Sequence, residues 1–341
     1  MQTGRLSHDL LALDCAREVE KIAQTIRDYA LRLFKKRGMV VALSGGIDSS
    51  VVGALSVKAL GPSHVLGLLM PEKDSSPDTL GLSRQVAEHL GIQIVHEDIS
   101  PILEAARCYQ NRDDAIRRVI PDYGTGWKSK IVLPTVLNSD QYRLFSIVAE
   151  APSGQRVQAR LTIEAYLGVV AATNFKQRTR KMLEYYHADR LNYAVAGTPN
   201  RLEYDQGFFV KLGDGSADVK PIAHLYKTQV YRLAEHLGLP EQILRRRPTT
   251  DTYSLSQSQE EFYFSVPYEQ MDLILCAKDH GFGCQEIGAE LGLTAEQVER
   301  VFRDVEAKRM MACYLHAPPV LVERMPCRSE RCSRSLPCPL E

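Results

Sequence analysis

The sequence predicts an α/β protein: a doubly wound parallel sheet with helices on both faces, an inserted β-hairpin and a C-terminal helical segment. Three observations lead there. Apolar runs of strand length alternate with helical patterns over residues 39–96. A glycine-rich turn, Ser44-Gly45-Gly46-Ile47-Asp48-Ser49-Ser50, follows the first run and opens a helical pattern. The rhythm then breaks between about residues 109 and 160 and resumes after a long helical stretch. Parallel strands need crossovers, and helices filling those crossovers cover both faces of the sheet.

Taken in order, residues 16–36 place Val19, Ile22, Ala23, Ile26, Ala30 and Phe34 on one helical face, and Gly38 ends the pattern. Strands follow at 39–43, 64–70 and 92–96, separated by helices at 51–60 and 79–90. The turn cluster 121–126 and Trp127 open the irregular region, where 141–148 and 156–161 alternate around Ala151-Pro152-Ser153-Gly154 as a two-stranded hairpin would. A helix over 163–187, a strand over 192–197 and a helix over 227–237 restore the order. Residues 284–294 lead into a helix over 295–308, a spacing that suggests a helix-turn-helix. That second helix carries Glu296, Glu299, Asp304 and Glu306 among its bases, so a packed helical pair explains it better than a DNA reader.

Bulk properties narrow the function classes. Forty-two basic and 42 acidic residues balance in a chain of 341, which argues against a polybasic nucleic-acid surface or a membrane-attracted protein. No apolar run reaches bilayer length, and Asp9 and Asp14 among the first leucines are wrong for a signal peptide, so the expected location is cytoplasmic. The eight cysteines include no Cys-x-x-Cys pair and read as reduced thiols; Cys327, Cys332 and Cys338 fall in a Pro-, Ser- and Arg-rich tail.

The Ser44 turn has a definite chemistry. A strand feeding a glycine-rich turn into a helix presents backbone N–H groups and the positive end of the helix dipole to an anion. Serine hydroxyls add donors, and Asp48 can hold a magnesium ion against phosphates. No Gly-Lys-Ser/Thr follows, so this is not a Walker loop. The string resembles the pyrophosphate-binding loop of the N-type ATP pyrophosphatases, the PP-loop superfamily, whose members split ATP between its α- and β-phosphates and adenylate a substrate.

Four further segments appear in order: Asn174-Phe175-Lys176-Gln177-Arg178-Thr179-Arg180-Lys181-Met182, Gly197-Thr198-Pro199-Asn200-Arg201-Leu202-Glu203, Gly207 through Asp218, and Pro248-Thr249-Thr250-Asp251. With the Ser44 loop they resemble the ammonia-dependent NAD synthetases over roughly residues 16–275. The resemblance implies ATP-dependent amidation of nicotinic acid adenine dinucleotide through an acyl adenylate, giving NAD, AMP and pyrophosphate, with ATP and Mg2+ required. It implies that Ser44, Gly45, Gly46, Asp48, Ser49 and Ser50 cradle pyrophosphate, and that Asp48 and Glu203 bind the metal. Thr198, Lys227 and Thr249 map to ATP contacts, Lys227 also serving catalysis. Arg178, Lys211, Asp218 and Lys308 map to dinucleotide contacts, and Asp214 to the acid that meets incoming ammonia. A homodimer is implied as well.

Plainer readings stand beside these. Arg178 and Arg180 suit a solvated helix face, Asp214-Gly215 an ordinary turn, Glu203 and Lys227 a surface ion pair, and His187 a packed histidine. The shared order of all five segments carries the resemblance. Three features depart from the family pattern: the insertion at about 109–160, the stretch Glu306-Ala307-Lys308-Arg309 where the family has a His-Lys pair, and the tail. The expected layout is a synthetase-like domain over 1–275, a helical extension over 276–318 and a flexible tail over 319–341. Too few residues precede the first strand for a glutamine-hydrolysing domain, so ammonia is expected from solution or a separate glutaminase. Two alternatives remain at this level: a PP-loop ligase for another carboxylate, and a nucleic-acid-binding or -modifying protein on the same fold.

Overall fold

The computed structural model describes residues 6–133, 137, 145–249, 253–259, 263–264 and 266–323. Helix α1 (Cys15–Ile26), capped by Asp14 accepting the Arg17 N–H at 3.1 Å, continues as a π-helical segment, Arg27–Leu33, and delivers the chain to β1 (Met39–Ala42). Then come α2 (Ile47–Leu60), β2 (Val65–Leu69), α3 (Pro77–Leu90) and β3 (Gln93–His96). Two helices absent from the sequence reading, α4 (Ser100–Ala105) and α5 (Cys108–Arg117), lead into an antiparallel sheet of β4 (Lys128–Val132), β5 (Ser146–Glu150) and β6 (Arg156–Arg160). The long α6 (Ile163–Leu191) returns the chain to β7 (Ala194–Val195). After it lie α7 (Arg201–Gln206), α8 (Lys227–His236), α9 (Glu241–Leu244), α10 (Tyr268–Asp279), α11 (Cys284–Leu291) and α12 (Ala295–His316).

The main sheet has the order β3-β2-β1-β7, all parallel, with Met39 beside Val65 and also beside Ala194, and Leu66 beside Gln93. Alternation along β1 explains why helices cover both faces. Met39 and Val41 pack with Ile26, Leu55 and Val230 on one side, while Val40 packs with Leu68, Leu103 and Val195 on the other. Each such side chain, fully buried, contributes on the order of 1.5–3 kcal/mol. Because β1 is central, its C-terminal end opens into a crevice between strands that continue in opposite directions across the sheet, the place where open α/β sheets bind ligands.

The excursion predicted as a two-stranded hairpin has a third strand, β4, paired to β5 with Ile131 opposite Ile147. Lys128 and Lys130 disguise that strand, since only alternate residues face inward. The β5–β6 turn is the expected one: Gly154, at φ +84°, donates to the Ala151 carbonyl at 2.8 Å. Ile131, Ile147 and Ala149 bury against Ile116 of α5 and Ala165 and Val169 of α6, so the small sheet is bolted to the long helix. Residues 141–144 of the expected first hairpin strand lie outside the described residues.

Helices α10 to α12 share a core with the N-terminal Leu6 and Leu11 and with Leu202 of α7. Position 275 falls within α10. Ile287, Val298, Val301 and Val305 of the helix-turn-helix-like pair point into this core, which gives the pair a packing role. Cys15, Cys108, Cys276, Cys284 and Cys313 are free thiols; Cys327, Cys332 and Cys338 lie outside the described residues. Among the described residues no helix is long and apolar enough to cross a membrane.

Candidate active site

The Ser44 loop leaves β1 and becomes the first turn of α2, which begins at Ile47, four positions before the start read from periodicity. Gly46 is the N-cap. Ser49 and Ser50 both turn back to the Gly46 carbonyl, at 3.0 and 2.8 Å, and the Ser44 and Ser49 hydroxyls meet at 3.2 Å. Gly45 stands at φ +67°, and a Cβ there would come within 2.8 Å of the Leu82 Cβ and 3.1 Å of the Thr79 carbonyl. Only glycine satisfies both restrictions. The free N–H groups of the α2 N-terminus thus face a crevice with serine hydroxyls beside them, the arrangement that receives phosphate.

Two carboxylates and one buried lysine stand next to that loop. Lys227, the first residue of α8 and 2% exposed, forms an ion pair with Asp48. Asn200, the N-cap of α7, donates its side-chain N–H to Asp48 at 3.1 Å and its backbone N–H to Glu203 at 3.2 Å, so one residue spans both acids. Gln259 donates to the other Glu203 oxygen at 2.9 Å. Burial, reinforced by the Asp48 charge, pushes the Glu203 carboxyl up to about 8. Burial works against the Lys227 ammonium, but Asp48 and Glu203 outweigh it and hold its pKa above the ordinary lysine value. Behind Lys227, the fully buried Asp272 of α10 accepts the Lys227 and Thr228 backbone N–H groups at 3.3 and 2.7 Å and so fixes the start of α8.

The Ser44 loop, Asp48, Glu203, Lys227 and Gln259 share one cleft of about 580 Å3, which Thr198, Pro248, Thr249 and Asp214 also line. Asp214 accepts the Val210 N–H at 2.9 Å, and burial raises its pKa. The small sheet reaches the same cleft through Phe145, which stacks on Tyr166 of α6 at 4.4 Å between ring centroids.

Of the residues singled out in the sequence, Ser44, Gly46, Asp48, Ser49, Thr198, Glu203, Asp214, Lys227 and Thr249 line this cleft. Gly45 and Ser50 shape the loop from behind. Arg178, Lys211, Asp218 and Lys308 do not line it. Arg178 donates to the Lys211 carbonyl at 3.2 Å, and the Lys211 ammonium caps the end of α12 through the Tyr314 and Ala317 carbonyls, both at 2.8 Å. Asp218 accepts the Val195 N–H at 2.8 Å, and Lys308 binds Asp304 and the Tyr263 carbonyl, each at 2.6 Å. His187, as read, is a packed residue, bonded to Glu97 at 3.1 Å.

Sequence reasoning missed several groups. Arg246 lines the cleft and clamps the phosphate loop, donating to the Gly45 carbonyl at 3.1 Å and the Thr79 hydroxyl at 3.2 Å. Lys181 and Glu184 of α6 form an ion pair at 2.6 Å in the cleft wall, both nearly fully buried. A second buried network, in which Lys176 binds Glu72 and Asp74 at 2.9 and 2.6 Å, ties the β2–α3 loop to α6. Arg246 gave no signal because it stands in a basic run, Arg245-Arg246-Arg247, that reads as solvated charge. The i,i+3 spacing of Lys181 and Glu184 was visible but is common on surface helices.

Comparison with known proteins agrees with this geometry. Residues 18–119 and 139–312 match the family model described as NAD synthase. An NH(3)-dependent NAD(+) synthetase of Rhizobium meliloti (strain 1021) is 57% identical over 317 residues, covering 93% of this chain and 95% of its relative. Two solved structures share the fold: an NMN synthetase from Francisella tularensis, TM-score 0.64 and 21% identity, and an NH3-dependent NAD synthetase from Campylobacter jejuni, TM-score 0.60 and 22% identity. Both cover 92% of this chain and 100% of their own. A glycine-rich loop at a helix N-terminus, a bridged pair of acids and a buried lysine at the mouth of a parallel sheet agree with what these matches over most of the chain show: this protein is a member of the NAD synthase family.

Proposed function

We propose that this chain is an ammonia-dependent NAD synthetase that activates the carboxylate of nicotinic acid adenine dinucleotide with ATP and replaces the adenylate by ammonia. The observation that carries the reading is the convergence in one cleft of the Ser44 loop, the Asn200-bridged acids Asp48 and Glu203, Lys227, and Asp214. In the first half-reaction the α2 N-terminal amides with Ser44 and Ser49 hold the β- and γ-phosphates, and Lys227 adds a compact positive charge as pyrophosphate leaves. The donor set fits magnesium: two hard carboxylates share one site, where burial and the Asp48 charge keep Glu203 protonated until a cation favours its ionised form, and phosphate oxygens complete such a shell. Asp48 and Glu203 would hold that ion, which neutralises phosphate charge when bound. Thr198 and Thr249 border the nucleotide, Thr249 on a loop placed to close over it.

In the second half-reaction the ammonia nitrogen attacks the acyl carbon, the bond to the AMP phosphate breaks with its electron pair, and Asp214 takes the nitrogen's proton. Arg178, Lys211 and Asp218 are assigned to the dinucleotide outside the cleft. Arg178 and Lys211 lie in contact, and the Lys211 ammonium sits over the ring of the exposed Tyr314 of α12. That surface supports a homodimer whose interface borders the dinucleotide site. Ammonia comes from solution or a separate glutaminase, and the enzyme works in the cytoplasm.

The test is ATP–pyrophosphate exchange. Exchange that requires both magnesium and the dinucleotide, and proceeds without ammonia, is the expected result; exchange indifferent to the dinucleotide would exclude this acceptor.

A further inference from the structure

Arg180 and Lys181 line the cleft with Asp214, Lys220 is close enough to feel its charge, and each of the three cations is engaged elsewhere. Arg180 donates to the Met70 carbonyl at 3.1 Å, Lys220 to the Gly215 carbonyl at 2.6 Å, and Lys181 to Glu184 at 2.6 Å. Among the described residues no ion pair closes on Asp214, whose one oxygen is held by the Val210 N–H at 2.9 Å. Arg180 and Lys220 are restrained by carbonyls. Lys181 is different, because its acceptor is a side chain one helical turn along α6, and Lys181, Glu184 and Asp214 all line the same cleft. Both members of the pair are buried, Lys181 5% and Glu184 4% exposed, so neither is a solvated surface charge. A buried ammonium that loses its carboxylate must find another, because leaving it unpaired is costly. The nearby carboxylate that also lines the cleft wall is Asp214.

We propose that Glu184 is a positioning residue for the amidation half-reaction: it holds the Lys181 ammonium off Asp214, so that Asp214 stays free to take a proton. The inference rests on the reading of Asp214 given above. The step it protects is balanced. The ammonia lone pair forms the C–N bond, the C–O bond to the AMP phosphate breaks with its electrons, and the proton shed by nitrogen passes to Asp214 and then to solvent. An Asp214 tied to Lys181 would be a weaker base with its acceptor oxygen occupied. The placement also explains why a buried charge pair is built into the cleft wall, where apolar residues of similar size would pack at no electrostatic cost.

The experiment compares E184Q, K181M, the double variant and D214N in two assays on the full-length enzyme: ATP–pyrophosphate exchange and steady-state amidation against ammonia. E184Q is expected to keep exchange within about threefold while kcat/KM for ammonia falls about tenfold or more. Adding K181M to E184Q removes the stray cation and is expected to restore most of that loss in ammonia kinetics with exchange unmoved throughout, whereas a pair that only stabilised the cleft wall would lose and regain exchange and amidation together. K181M alone, in which the remaining cations Arg180 and Lys220 are held by the Met70 and Gly215 carbonyls, is expected to keep near-normal ammonia kinetics and serves if E184Q fails to fold. A double variant no better than E184Q, or a K181M enzyme as impaired as E184Q, overturns the proposal. If D214N leaves amidation intact, the reading of Asp214 fails and takes this inference with it; if D214N is impaired while E184Q is not, only the inference fails.

Discussion

At the scale of single residues, charge balance around Lys227 determines how substitutions behave. Asp48 is paired with a lysine that has almost no solvent exposure, so it is a structural partner as well as a candidate metal ligand. Asp48→Asn is expected to slow ATP–pyrophosphate exchange by ~3 kcal/mol of barrier, about a hundredfold. The fold is expected to survive. Burial chiefly raises the Glu203 carboxyl and the Asp48 charge adds to it, so removing that charge is expected to ease Glu203 ionisation and let it pair with Lys227 in place of Asp48. Near-normal exchange would remove Asp48 from the metal site, and loss of cooperative unfolding would contradict the substitution of one acid by the other. Asp214→Asn is expected to act later, letting the acyl adenylate accumulate in a single turnover because its role begins once that species exists. Equal loss of adenylate formation would make Asp214 a binding residue instead. That Asp48, Lys227 and Asp214 share one cleft was readable because each sits in a short ordered motif. Arg246 and Asp272 were not, since their partners lie far along the chain and neither belongs to a local pattern.

Asp272 belongs to the scale of elements, because it fixes where α8 begins. Burial raises its carboxyl from 3.8 to about 7, so the folded protein binds this proton more tightly than the unfolded chain. The stabilisation that follows is full below 3.8 and is lost as pH rises through about 7. Asp272→Asn cannot titrate, so the stability of the wild type relative to this variant is expected to fall across that window in urea unfolding. Parallel pH curves for the two proteins would contradict the shift. The antiparallel sheet is the other element with consequences for function. It buries Ile131, Ile147 and Ala149 against α5 and α6 and delivers Phe145 to the cleft, so excising 141–161 would strip a core and not merely trim a surface. Phe145→Ala is the cleaner test. Loss of the stack on Tyr166, on the order of 1 kcal/mol, is expected to raise KM for the carboxylate substrate about fivefold with exchange at saturation little changed. An unchanged KM would confine the sheet to a packing role. The parallel strands were legible because runs such as Val65–Leu69 are buried throughout. In contrast, β4 and α5 were hidden, since Lys128–Val132 and Cys108–Arg117 bury only some of their residues and read as polar chain.

For the whole molecule, the arrangement is a parallel sheet whose central strand ends at the Ser44 loop, with α7, α8 and the turn bearing Asp214 closing the cleft around it. The order of motifs along the chain made this layout readable, since five segments that meet at one strand end keep their sequence positions whatever is inserted between them. The dinucleotide side was less legible. Lys308, read as a ligand from its place in the C-terminal helix, is engaged by Asp304 and the Tyr263 carbonyl in this fold, and no histidine precedes it. Identity of the acceptor is therefore the central claim to be measured. The direct measurement incubates the full-length protein with ATP, magnesium, ammonium labelled with heavy nitrogen, and a panel of carboxylates that includes nicotinic acid adenine dinucleotide and nicotinic acid mononucleotide, with products read by mass spectrometry. The expected result is labelled NAD formed together with equal amounts of AMP and pyrophosphate, at a rate well above that for any other carboxylate. Label appearing chiefly in another amide, or ATP cleaved to ADP and phosphate with no labelled NAD, would contradict it.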